Sequence, residues 1–135
     1  MEWKDCIKEG SVTKIDIDNK KINSLINAAK RKIDFVNKHQ IDNTNHEILF
    51  SVFYEGILEL LHSFVMKDGY HINNHICIGY YLKEVFMSKE LFVIFDNCRK
   101  IRNDILYDGE IISLELARNA INELNYLNEE IIRII

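Results

Sequence analysis

The chain has no proline and only five glycines, at positions 10, 56, 69, 79 and 109. Strands joined by tight turns need such punctuation repeatedly, so its scarcity argues against a sandwich or barrel and leaves helices as the main element. Cysteine is also sparse. Cys6, Cys77 and Cys98 are odd in number and far apart, and no CxxC or Cys/His ligand spacing is present. Neither a disulfide framework nor a structural zinc site is therefore expected, and a reducing cytoplasm is the simple location. The opening MEWKDCIKEG carries charges where a signal peptide needs an apolar run. A positive excess is missing too: seventeen Lys and Arg stand against twenty-one Asp and Glu, for a net charge of −4. The field of the whole molecule repels polyanions, so any nucleic-acid contact must be local.

What is present fits one soluble domain spanning residues 1–135. The 47% hydrophobic and 28% charged content is that of a globular protein, and the length suffices for a core without staples. Ile22, Leu25, Ile26, Ala29, Ile33 and Val36 repeat at helical spacing, with Asp18 placed to cap a first helix over roughly 19–39. Periodicity assigns no element before it. The stretch ILFSVFYEGILELLHSFVM, residues 48–66, is nearly long enough to cross a bilayer, but Glu55, Glu59 and His62 interrupt it. It is expected to be the buried central helix of a bundle rather than a membrane anchor, with Gly69 in the turn after it. A third helix starts near Asn73 or Asn74 and a fourth near Ser88. Gly109 stops the fourth, and Ser113 caps a last one. The reading is an all-α, up-and-down bundle of about five helices.

Two features carry chemistry. Ser51, Glu55, Glu59 and His62 fall at steps of four, four and three, a polar stripe on the central helix. On the fourth helix, the segment CRKIRNDILYDGEII (98–112) concentrates charge. With about 100° per residue, Leu91, Phe95, Cys98 and Ile105 all fall within about 60° of Arg102, so this guanidinium leaves from the middle of an apolar arc. It cannot shed its charge there and needs an acidic partner, an interface or a ligand. Glu55 and Glu59 are the acidic candidates inside the chain. Arg99, Asn103 and Tyr107, at steps of four, add a donor-rich edge suited to phosphate oxygens. The plainer alternative is an Arg102–Glu55 ion pair with no ligand. His62 and His75 are the histidines placed to approach Arg102, whereas His39, His46 and His71 sit near helix ends and read as exposed polar residues.

The order of these features resembles the HEPN superfamily of small helical-bundle domains. The resemblance runs from about residue 20 to 132, through FYEGILELL, DGYHINNHICIGYYL and above all RKIRNDILYDGEIISLELARNAINEL. It implies a homodimer with paired signature helices and a ligand of RNA or nucleotide. It further implies metal-independent endoribonuclease chemistry without a cofactor and, in the toxin members, a nucleotidyltransferase antitoxin as partner. The family's catalytic arginine falls on Arg102 and its polar neighbour on Asn103. Where the family has a histidine, four to six residues on, this chain has Tyr107. A phenol with pKa near 10 is about 0.1% ionised at neutrality and makes a poor general base. The resemblance therefore implies a phosphate binder or a weakened ribonuclease, with Arg99, Arg102, Asn103 and Tyr107 at the site and Glu55, Glu59, His62 and His75 in support.

Overall fold

The apolar repeats become long helices whose ends are set by capping side chains. A computed structural model describes all 135 residues. In chain order it contains α1 (Trp3–Lys8), β1 (Val12–Lys14), α2 (Asn19–Asn37), α3 (His46–Lys67), β2 (Tyr70–Ile72), α4 (His75–Tyr80), α5 (Lys89–Tyr107) and α6 (Leu114–Ile134). A wider π-helical turn, Tyr81–Val85, continues α4. Asp18, Asn74, Ser88 and Ser113 each accept a backbone N–H from the first turn of α2, α4, α5 and α6. Each satisfies a donor that a helix start leaves unpaired. Gly69, with φ +85°, provides the left-handed residue after α3.

The fold is an all-α bundle built around α3. Phe50, Phe53, Tyr54, Ile57, Leu60 and Leu61 are all buried on this helix, which explains why its apolar residues extend nearly all round. It is long and apolar enough to span a membrane, yet most of it lies inside the bundle. α2 approaches it closely at Gly56, where a methyl group would lie 3.1 Å from Ile33 Cγ1 and 3.3 Å from the Ala29 carbonyl oxygen. α6 covers another side with Ala117, Ile121, Leu124, Leu127 and Ile131, and α5 adds Leu91, Phe95 and Cys98.

The first fifteen residues correct the sequence reading. They form a strap laid over the segment that follows α3. β1 pairs antiparallel with β2, Val12 opposite Ile72, Thr13 opposite His71 and Lys14 opposite Tyr70. Trp3 sets its ring edgewise to Tyr70 and Tyr81, at centroid distances of 6.0 and 5.6 Å, and its backbone N–H donates to Glu84 Oε2 at 2.8 Å. Helical periodicity could not find a three-residue strand whose partner is almost sixty residues away in sequence. Cys6 and Cys77, expected to be unpaired, form a disulfide across a Cα separation of 5.9 Å. Their distance in sequence was no obstacle, because the β1–β2 pairing delivers α1 onto α4. Only Cys98 is free; it is buried, which pushes its thiol up to about 12. The cysteines therefore do not mark a reducing compartment.

Thiol titration of the denatured, unreduced chain should find one sulfhydryl and the reduced chain three. Reduction should lower stability by about 2–4 kcal/mol. Three sulfhydryls without reductant would show that the bridge does not form.

Candidate functional site

The apolar arc of α5 runs through buried Leu91, Phe95 and Cys98 and ends on Arg102, whose side chain is 17% exposed. Its Nη2 donates to Glu55 Oε1 at 2.6 Å, and its Cζ lies 5.3 Å from the centre of the Tyr54 ring. The charge is thus neutralised by a carboxylate and covered by an aromatic face. Tyr54 itself is wedged between Phe95, stacked at 5.9 Å, and His75, whose Nδ1 is 3.3 Å from the phenolic oxygen. Burial pushes the Tyr54 phenol well above its ordinary range, so it stays protonated.

Beside this cluster an open, polar cleft of about 580 Å³ lies between α5 and the turn from β2 into α4. Arg99, Asn103 and Tyr107 form one wall; Asn73, Asn74, His75 and Ile76 form the other. The donor-rich edge read from the sequence therefore faces a real concavity. Arg99 gives Nε and Nη2 to Asp96 Oδ1, at 3.1 and 2.9 Å, two of its five N–H donors. Burial would raise the Asp96 carboxyl, but hydrogen bonds from Arg99 and Lys100 outweigh it and hold the group below its usual range. Tyr107 is 76% exposed at the end of α5. Arg102 does not line the cleft. Its guanidinium sits behind, engaged with Glu55.

The stripe on α3 divides. Glu55 turns to Arg102 on α5, whereas Glu59 pairs with Lys32 on α2. Each four-residue step rotates a side chain by about 40°, and on a helix enclosed by others that suffices to change neighbours. His62 faces His71 at a ring distance of 6.3 Å, leaving His75 as the histidine of the cleft. His46, read as an exposed polar residue, is 7% exposed, and its Nε2 meets the Ile112 carbonyl at 2.7 Å. It pins the connection between α5 and α6 to the start of α3. The site residues that periodicity missed are Tyr54, Asn73 and Asn74. A tyrosine in the middle of an apolar helix was the available signal, since a buried phenol needs a polar partner.

Comparison with protein-family models, with curated proteins and with solved structures returns no match.

Two experiments probe this geometry. Arg102→Met strands the Glu55 carboxylate and Glu55→Gln strands the guanidinium. Each should cost about 1–3 kcal/mol, less than for a fully enclosed pair because the Glu55 side chain is 44% exposed. The double variant should lose less than the two losses added, and strict additivity in denaturant melts would mean that the pair is uncoupled. The second concerns protons. Burial, reinforced by His71 and His75, lowers the His62 pKa from 6.5. Burial and the charges of Arg102 and Arg99 outweigh Glu55 and lower that of His75. In acid the unfolded chain protonates these imidazoles before the native one does. Stability should therefore fall as the pH drops below 6.5 towards the lowered native values. Melting temperatures between about pH 7.5 and about pH 5 should show this slope, and replacing both histidines by Asn should flatten it.

Proposed function

We propose that the protein is a HEPN-like homodimer that binds RNA through its phosphodiester backbone, as a relative of the metal-independent ribonucleases without their motif histidine. The observation that carries this reading is the cleft. It gathers an arginine, three amide side chains and a phenol from α5 and the β2–α4 turn, a donor set that matches phosphate oxygens, with the imidazole of the first α4 residue beside them. The all-α architecture and the position of Arg102 against the acidic residue of the long helix are consistent with the resemblance. Leu106 near the end of α5 and Ile111 just after it, 54% and 83% exposed, are apolar surface for a second copy to cover. A nucleotidyltransferase is the partner class that the same resemblance suggests.

A second reading has its own support. The 2.6 Å contact between Arg102 and Glu55 is what a structural helical dimer would show if the arginine made only an ion pair.

Binding separates the two. A fluorescent single-stranded RNA should bind in chelator with an affinity that falls steeply as salt rises. Arg99→Ala and Asn103→Ala should each weaken it about tenfold; Asn103→Ala should nearly keep the melting temperature, whereas Arg99→Ala, which removes a partner of Asp96, should lower it modestly without unfolding the chain. Light scattering should return the mass of two chains. Absence of RNA and inorganic phosphate binding by the folded parent would leave the structural reading.

A further inference from the structure

The cleft contains the proton acceptor that the signature helix lacks, and it comes from a different helix. We infer that His75, the first residue of α4, is the general base for phosphodiester cleavage in this cleft; the inference rests on the RNA-binding reading above.

Three observations place it there. His75 lines the cleft opposite Arg99, Asn103 and Tyr107, so an RNA phosphate held by those donors lies between the two walls. The imidazole is anchored at one nitrogen only: Nδ1 lies 3.3 Å from the Tyr54 hydroxyl, which is fixed by its stacking on Phe95. The base role requires the tautomer with Nδ1–H given to that hydroxyl oxygen, in which Nε2 keeps its lone pair for a substrate proton. Finally, the side chains that face His75 from the surrounding helices are Arg102 and Arg99 on α5 and Tyr54, Glu55 and His62 on α3. Burial first, and then the nearby guanidinium groups, favour the neutral ring, and the imidazole remains a base at physiological pH.

In the reaction, Nε2 takes the proton of a ribose 2′-hydroxyl as that oxygen bonds to the adjacent phosphorus. The bond from phosphorus to the 5′-oxygen breaks with its electron pair, and the leaving oxygen takes a proton from water. The imidazolium returns its proton to the hydroxide so formed. The products are a 2′,3′-cyclic phosphate and a 5′-hydroxyl; no oxidant, metal or cofactor enters. Arg99 and Asn103 hold the phosphate, and Arg102 biases the ring through its charge while remaining paired with Glu55. Tyr107 serves as a hydrogen-bond donor.

The test uses the whole chain, unreduced, with a single-stranded RNA oligonucleotide in excess chelator, following cyclic-phosphate ends. His75→Asn should reduce kcat/KM by about 10²–10⁴ while RNA affinity changes less than about threefold. Tyr107→Phe should cost far less. The acid limb of the parent's kcat/KM profile should follow a group titrating below the ordinary imidazole value of 6.5, a readout that does not depend on any variant folding. A parent that binds RNA without cleaving it overturns the role of His75 and leaves the binding reading intact, as does cleavage that survives His75→Asn or has a flat acid limb. A parent that does not bind RNA overturns both.

Discussion

A guanidinium at the end of an apolar helical arc is the constraint around which the interior of this protein is arranged. Arg102 follows Leu91, Phe95 and Cys98 along the inner face of α5, so its charge arrives where the core has just been built. It cannot be neutralised by losing a proton. It requires Glu55 from the central helix and an aromatic surface, Tyr54, from the residue before. That choice fixes the rotational setting of α3. With Glu55 towards α5, Glu59 is carried round to α2 and Lys32, and Tyr54 is presented between Phe95 and His75. One largely covered charge thus links three helices and sets the floor behind the polar cleft.

How much of this could be read from the sequence depends on the range of the signal. The caps at Asp18, Ser88 and Ser113 were legible because the hydrogen bonds span three residues, and the long helices because apolar side chains repeat within each turn. The arc ending on Arg102 and the Arg99, Asn103, Tyr107 edge were legible for the same reason. The strap was not. Val12 to Lys14 is too short for a period to register, and the pairing with Tyr70 to Ile72 is a tertiary fact. The Cys6–Cys77 bridge follows from that pairing and was misread with it. His46 was misjudged because a histidine at a helix start reads as exposed unless the connection that will cover it, at Ile112, is known.

The cleft shows the same division at finer scale. One wall is a helix face, visible in sequence as side chains four residues apart. The other is the Asn73–Asn74 turn with the first residues of α4, His75 and Ile76, held by the Asn74 cap and by the Asn73 N–H donated to the Ser11 carbonyl at 3.0 Å. The start of that helix was legible, but its placement opposite α5 is a tertiary fact, so the wall that brings the imidazole could be located only in three dimensions. The strap therefore belongs to the site: it is the backing against which that wall rests.

The disulfide also divides the chain topologically. Joining Cys6 to Cys77 closes a covalent ring that contains α2 and α3 entire, with α5 and α6 outside it. Tension applied between the two ends bypasses the ring, so a stretched molecule would pay out only the chain beyond the bridge while the α2–α3 hairpin stays contained. A backbone cut in the connection between those helices would open the ring without releasing a fragment.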